Sequence, residues 1–117
     1  MPLPVTQPVQ IGPLQIGGGA PLVLIAGPCV IESREVTLQV AETLRDLCAE
    51  VGLPLIFKSS FDKANRTRMD SFRGPGLEEG LEVLAGVRER LKLPVTTDVH
   101  APEQVSRVAQ VVDLLQG

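Results

Sequence analysis

Cationic side chains are concentrated in one stretch of an otherwise acidic sequence. This cationic segment runs from Lys58 to Gly76 and contains five basic and two acidic residues, a net charge of +3, whereas the whole 117-residue chain carries −3. A local positive field favours a small anion, phosphate or carboxylate, over a long polyanion. The segment has no hydrophobic period, but Phe61, Met69 and Phe72 are spaced so that they can anchor it. We therefore interpret it as an ordered, functional loop.

Residues that can do chemistry follow three short apolar runs. Continuous apolar runs of this kind suit parallel strands that are covered on both faces. Each predicted strand and the residues at its exit are, in order, Leu22–Ala26 with Cys29, Leu55–Phe57 with the cationic segment, and Pro94–Thr97 with Asp98 and His100. Three polar strand ends in succession are stronger evidence for a site than any one of them.

Helical periodicity fills the gaps between these runs. The pattern predicts a first helix from about Arg34 to Val51, capped by Ser33, and a second from about Leu77 to Leu91. Pro102 suits the first turn of a third helix, and Val111–Leu115 is predicted to begin a fourth strand. Alternating strands and helices indicate a parallel α/β sheet, in which ligands bind at the carboxyl ends of the strands. Because a (β/α)8 barrel needs roughly 200 residues or more, the chain would form part of one, or else a shorter open α/β domain.

The remaining sequence sets the domain boundaries and excludes several classes of function. Residues 1–21 are predicted to be a proline-rich arm and a hairpin over Val9–Ile16, and residues 22–117 a single α/β domain. Aromatic residues are only 3% of the chain, which argues against nucleic-acid binding by base stacking, as does the acidic balance. Neither a secretory signal nor a membrane-spanning run is evident, so we expect a cytoplasmic protein with reduced cysteines and no membrane partner.

Each candidate residue also has an ordinary structural interpretation. Cys29 is a metal-ligating thiolate or a small buried hydrophobe, whereas Cys48 lies on the apolar face of the first helix and is assigned to the core. Asp98 orients a substrate or caps the helix near Pro102, and His100 is interpreted as structural. The basic residues could instead form a solvated loop in which Arg66 pairs with a neighbouring aspartate.

Four strings resemble the N-terminal part of the 3-deoxy-D-manno-octulosonate 8-phosphate synthases, also called 2-dehydro-3-deoxyphosphooctonate aldolases. They are IAGPCVIES over Ile25–Ser33, FKSSFDKANR over Phe57–Arg66, FRGPGLE over Phe72–Glu78 and TTDVH over Thr96–His100. The resemblance extends from about residue 9 to the end of the sequence, and FKSSFDKANR is highly specific.

The resemblance implies a cytoplasmic, homotetrameric TIM barrel that condenses phosphoenolpyruvate with arabinose 5-phosphate and releases phosphate. The product leads to the inner-core sugar of lipopolysaccharide. A cysteine at the position of Cys29 resembles the metal-dependent class, in which a divalent metal ion is also held by a His, a Glu and an Asp that come later in the barrel. The sequence ends before those three ligands.

The resemblance also implies roles for individual residues. Lys58 and Lys63 would hold phosphoenolpyruvate, with Ser60 as a donor to its carboxylate. The segment that would bind arabinose 5-phosphate is Asn65, Arg66 and Thr67. Lys63 and Asp98 are the expected catalytic residues. Two alternatives without catalysis are a truncated remnant that pairs with another chain through its exposed strand edges, and a stand-alone phosphate-binding module.

Overall fold

The computed structural model describes residues 7–61 and 76–116. Within them a β-hairpin precedes three strand–helix units and a last strand. The strands are β1 (Val9–Ile11), β2 (Leu14–Ile16), β3 (Leu24–Ala26), β4 (Leu55–Lys58), β5 (Val95–Asp98) and β6 (Leu114–Gln116). The helices are α1 (Arg34–Val51), α2 (Leu77–Leu91) and α3 (Val105–Ala109), and a 3₁₀ turn (Pro102–Gln104) leads into α3.

Strands β3 to β6 form one sheet in which neighbours in sequence are neighbours in space, and every pair is parallel. Lys58 lies opposite Thr96, and Thr96 lies opposite Leu114. Sequential parallel order without reversal is the arrangement of a barrel wall, whereas a doubly wound sheet reverses its strand order. The predicted parallel α/β architecture is therefore confirmed.

The hydrophobic core lies between one face of this sheet and the helices. Phe57 and Val95 point from β4 and β5 into a buried cluster with Ala41 of α1, Leu84 of α2 and Val108 of α3. Cys48 belongs to the same cluster and is 5% exposed, which confirms its assignment to the core. Because strand residues alternate between faces, Lys58 and Thr96 lie on the face opposite the helices.

Both long helices and the hairpin have the predicted bounds. The Ser33 hydroxyl accepts a hydrogen bond from the amide of Val36 at 3.1 Å, and Gly52 ends α1 in a left-handed conformation with φ of 71°. The hairpin β1–β2 is a separate two-stranded antiparallel sheet.

The division of the chain at residues 21 and 22 stays a prediction. None of the described helices combines the length and apolarity needed to cross a membrane.

For the first strand, the predicted starting residue and the predicted burial are both wrong. Strand β3 begins at Leu24, and Leu22 is 84% exposed. Coverage on both faces is also contradicted, because Ile25 remains 44% exposed. Within the described residues β3 has one neighbouring strand, and the helices cover only the opposite face of the sheet.

The start predicted for the fourth strand is also wrong. The amides of Val111 and Val112 both donate to the carbonyl oxygen of Val108, at 3.0 and 3.1 Å, so the helical turn continues past α3. The strand begins only at Leu114. Before it, the Asp113 carboxylate accepts a hydrogen bond from the amide of Val95 at 3.0 Å, which joins this turn to the start of β5. The third predicted strand is displaced by one residue and ends at Asp98 itself.

Candidate active site

Lys58 and Thr96 lie side by side on the sheet face that the helices leave uncovered. This face carries a groove of about 420 Å³, and its lining is Ile25, Lys58, Thr96, Leu114, Leu115 and Gln116. The Thr96 hydroxyl donates to the carbonyl oxygen of Leu114 at 2.7 Å and is thereby fixed. Among the described residues of the groove Lys58 is the one cation, so its ammonium group can attract an anion to this face.

Asp98 is the next residue of β5 on the same face as Thr96, at the carboxyl end of the strand. Its Oδ2 lies 3.3 Å from Nε2 of His100, while its Oδ1 is buried and has no hydrogen-bond partner within residues 7–61 and 76–116. The alternative role of Asp98, as an acid near the turn at Pro102, stays a prediction. At that turn Oε1 of Gln104 accepts from the amides of His100 at 2.9 Å and Ala101 at 3.3 Å. One oxygen of this carboxylate is therefore buried without a partner among the described residues.

The exits of β3 and β4 run next to each other beyond the sheet. The Ser59 hydroxyl donates to the carbonyl oxygen of Pro28 at 2.8 Å. The amide of Ile31 donates to the carbonyl oxygen of Ser60 at 2.9 Å. Val30 and Ser60 form a parallel bridge. Ser60, at 1% exposure, is buried where these two exits meet. The structure thus brings the exits of the first two barrel strands together at one edge.

Phe61 and Gly76, the described residues on either side of 62–75, form what we call the base of the cationic segment. The Phe61 side chain is 1% exposed, and its carbonyl oxygen accepts a hydrogen bond from the amide of Gly76 at 3.2 Å. Gly80 of α2 lies so close that a Cβ at that position would overlap the Cβ of Phe61. The predicted anchoring is confirmed for Phe61. The other predicted anchors and ligands of the segment, Lys63, Asn65, Arg66, Thr67, Met69 and Phe72, lie outside the described residues.

Cys29 occupies a separate pocket. Its thiol is exposed, so the interpretation as a buried hydrophobe is wrong. The pocket has a volume of about 220 Å³ and lies against the first turn of α1, with Glu32 and Thr37 in its lining. None of the described residues lines both this pocket and the groove beside Lys58. In residues 7–61 and 76–116 no three His, Cys, Asp or Glu side chains are grouped closely enough to hold a metal ion.

An ion pair outside the groove joins α2 to α3. Arg107 contacts both carboxylate oxygens of Glu78, with its Nε 3.0 Å from each and its Nη2 2.8 Å from Oε1. The hydrogen bond from Arg107 lowers the pKa of Glu78, and the same contact raises the pKa of Arg107. Because Glu78 lies in the first turn after Gly76, this pair fixes the helix end into which the cationic segment leads.

Comparison with known proteins identifies the fold family. Residues 4–116 match the sequence profile of the DAHP synthetase I family. The chain belongs to that family. This membership agrees with the sequential parallel strands and with the predicted partial (β/α)8 TIM barrel, which is confirmed.

Several curated relatives share more than half of their aligned residues with the chain. A 2-dehydro-3-deoxyphosphooctonate aldolase of Trichlorobacter lovleyi is 58% identical over 111 residues, which are 95% of this chain and 41% of the relative. Proteins of the same name from Citrifermentans bemidjiense and Geobacter metallireducens are 54% and 55% identical with the same coverage. The chain therefore spans about two fifths of the length of these relatives.

Two features of the site were not predicted from the sequence. The ring of His100 packs edge-on with that of Phe61, at a centroid distance of 5.5 Å and an interplanar angle of 83°. Thr96 contributes to the groove through its register with Lys58. For His100, the available signal was its spacing of two residues from Asp98, which places both side chains on the same side of extended chain.

Proposed function

We propose that the protein to which this chain belongs condenses phosphoenolpyruvate with arabinose 5-phosphate, to give 3-deoxy-D-manno-octulosonate 8-phosphate and inorganic phosphate. One observation carries the proposal: Lys58, Asp98 and the base of the cationic segment lie at the carboxyl edge of a parallel sheet, in a chain 58% identical to a 2-dehydro-3-deoxyphosphooctonate aldolase. Parallel α/β folds bind their ligands at this edge.

Phosphoenolpyruvate is assigned to the exit of β4. The ammonium group of Lys58, together with that of Lys63, would neutralise its phosphate and carboxylate and stabilise the charge that develops during reaction. Ser60 would donate to the carboxylate. The lining of the groove beside Lys58 supports this assignment, because the described residues in it include no acidic side chain that would repel an anion.

Arabinose 5-phosphate is assigned to the later part of the cationic segment and to β5. The guanidinium group of Arg66 suits bidentate contact with a phosphate, and Asn65 and Thr67 add hydrogen-bond donors. Asp98 would orient a sugar hydroxyl or the reacting water. Support for this role comes from its Oδ1, which is buried without a partner in the described part of the chain.

The proposed chemistry is an aldol-type condensation. The enol π electrons of phosphoenolpyruvate form a bond from C3 to the aldehyde carbon of arabinose 5-phosphate, and the aldehyde oxygen takes up a proton. A water molecule adds at C2 and gives up a proton, which balances the one taken by the aldehyde oxygen. The C2–O bond to phosphate then breaks with its electron pair on the phosphate, which takes the second water proton as the C2 carbonyl forms. Holding two anions in one orientation supplies much of the rate, because the reaction becomes effectively unimolecular.

A divalent metal ion fits only in part. The exposed thiol of Cys29 can provide one ligand, but the described residues offer no cluster that completes a site. A bound metal would supply Lewis-acid chemistry, and no step above depends on it. We assign Cys29 as a single metal ligand and the protein to the metal-dependent class as part of this proposal. Homotetrameric assembly, a cytoplasmic location and a place in lipopolysaccharide synthesis are further parts, which rest on the resemblance.

The direct test is phosphate release from phosphoenolpyruvate in the presence of arabinose 5-phosphate. We expect Lys58→Met to weaken phosphoenolpyruvate binding by roughly tenfold or more, because it removes a charge-assisted contact. Lys92→Met is the matched control, since Lys92 lies at the end of α2 beyond its last helical residue. Equal effects of the two substitutions, or use of a different aldose phosphate in preference, would contradict the proposal.

A second candidate function is phosphate-compound binding without turnover. The groove face is open, and the chain spans about two fifths of its relatives, which favours this alternative for the chain by itself. Phosphoenolpyruvate binding that depends on Lys58 but is not followed by phosphate release would support it. Turnover with both substrates would exclude it.

A further inference from the structure

Ser59 links the chain that follows β3 to the chain that follows β4 and to β5. Its hydroxyl donates to the carbonyl oxygen of Pro28 at 2.8 Å, and its amide donates to the carbonyl oxygen of Thr96 at 3.4 Å. Ser59 itself is 1% exposed. The proposed reaction gives this buried hydroxyl no task, which leaves its contact with Pro28 to be explained.

The chain before Cys29 is held against the end of β4. Gly27 comes so close to Lys58 that a Cβ at residue 27 would overlap the carbonyl oxygen of Lys58. Pro28 has no amide hydrogen, so its carbonyl oxygen is its one backbone hydrogen-bonding group, and Ser59 donates to this oxygen. The Ser59 side chain thus fixes the residue directly before Cys29.

The chain after Cys29 is held by backbone contacts. Val30 forms a parallel bridge with Ser60, and the amide of Ile31 donates to the carbonyl oxygen of Ser60 at 2.9 Å. Val30 and Ile31 are buried, whereas Cys29 is exposed between these fixed neighbours. The direction of the Cys29 thiol therefore depends on the contacts that hold the backbone on either side of it.

We propose that Ser59 is a positioning residue, which holds Pro28 against the exit of β4 and thereby fixes the direction of the Cys29 thiol. This inference rests on the proposed function for the task of that thiol as a metal ligand. The contact between Ser59 and Pro28 does not depend on that function.

Loss of the Ser59 hydroxyl should act on this turn and not on the whole sheet. Pro28 is half-buried, so water can reach its carbonyl oxygen once the turn moves outward. The register of β4 with β5, in which Lys58 lies opposite Thr96, does not use the hydroxyl. We therefore expect residues 27–31 to open locally while the strands stay paired.

Amide hydrogen exchange tests the contact without any ligand. We expect the Ile31 amide to exchange about fivefold faster in Ser59→Ala, which corresponds to the loss of one ordinary hydrogen bond. Ser59→Thr keeps the hydroxyl and should restore the slow rate. Asp113→Ala is the control, because it removes a hydrogen bond at the start of β5 instead. Equal Ile31 exchange rates in Ser59→Ala and Asp113→Ala would overturn the anchoring role, whether or not Ser59→Thr folds.

The thiolate absorption of bound Co²⁺ reports on the Cys29 thiol itself. Ser59→Ala should weaken Co²⁺ binding by roughly tenfold or more, because residues that orient a metal ligand typically contribute this much to affinity. Phosphoenolpyruvate affinity should be preserved in the same variant, since Lys58 keeps its place in β4. A merely structural role would lower both affinities together, and that result would refute the positioning role.

The titration with Co²⁺ also separates failure of this inference from failure of the proposed function. If the unaltered protein gives no thiolate band, the assignment of Cys29 as a metal ligand fails, and the positioning of a ligand by Ser59 fails with it. If the band is present and Ser59→Ala binds Co²⁺ as tightly as the unaltered protein, the role of Ser59 alone fails.

Discussion

Gly27 passes so close to Lys58 that a Cβ at residue 27 would overlap the carbonyl oxygen of Lys58. These residues stand opposite each other where β3 and β4 end, so the contact fixes the backbone that presents the Lys58 side chain. We expect Gly27→Ala to lower the free energy of unfolding by about 1–3 kcal/mol, because the two strand ends must move apart. Urea denaturation measures the loss of stability, and phosphoenolpyruvate affinity should decrease with it.

Gly86→Ala is the matched control for this substitution. A Cβ at Gly86 meets no atom of the described residues within 4 Å, and Gly86 lies inside α2. Alanine is the better helix former, so the variant should be more stable by up to about 1 kcal/mol. If Gly27→Ala is tolerated as well as Gly86→Ala, the close approach does not constrain the site.

The elements defined by local signals were predicted well. Helix α1 begins after Ser33 and ends at Gly52 because of contacts within one helical turn. The apolar periodicity of α2 predicted both of its ends. The starts of β3 and β6 were not predicted because they depend on distant residues. Strand β3 begins where the amide of Leu24 donates to the carbonyl oxygen of Pro54. Before β6, hydrogen bonds to the carbonyl oxygen of Val108 and from the amide of Asp113 hold the chain in a turn.

The candidate site was predicted at the level of the sheet but not of the side chains. Parallel strands bring their exits to one edge, so the grouping of Lys58 with Asp98 follows from the order of the elements. The contact of His100 with Phe61 and the separate pocket of Cys29 depend on how three loops pack, and periodicity contains no information about that packing.

Asp113 holds the start of β5 through a side chain that is 7% exposed. One carboxylate oxygen accepts from the amide of Val95 at 3.0 Å, and the other lies 3.2 Å from Nη2 of Arg88. We expect Asp113→Ala to lower the free energy of unfolding by about 1–3 kcal/mol, because a buried amide loses its partner. The exposed Asp46, which pairs with Arg45, provides a control, and Asp46→Ala should change stability by no more than about 0.5 kcal/mol. Similar losses in both variants would contradict this assignment.

The Glu78–Arg107 pair should make stability depend on pH. Its hydrogen bond lowers the pKa of Glu78 in the folded chain below the ordinary value. A carboxylate with a lowered folded pKa stabilises the protein above its unfolded pKa, and that contribution is lost as the pH falls through the folded pKa. We therefore expect Glu78→Gln to be less stable than the unaltered protein at neutral pH and the difference to disappear in acid.

Glu79→Gln is the control for the pH experiment. Glu79 lies in the same first turn of α2, so it has a similar interaction with the helix dipole, and the contact with Arg107 distinguishes Glu78. Thermal denaturation of both variants across the acid range separates the two contributions. A constant difference between Glu78→Gln and the unaltered protein at all pH values would show that the ion pair does not contribute.

Cys29 is the residue on which the proposed metal dependence can be tested most directly. Its thiol is exposed at the exit of β3, whereas Cys48 is buried in the core, so the chain contains its own internal comparison. We expect added Co²⁺ to give a thiolate charge-transfer band that Cys29→Ser abolishes and Cys48→Ala preserves, because thiolate coordination produces this absorption. Binding should be weak, since the described residues supply no cluster of three ligands around the ion. A band that survives Cys29→Ser, or phosphate release that is unaffected by a chelator, would remove the metal from the proposed function and leave the roles of Lys58 and Asp98 intact.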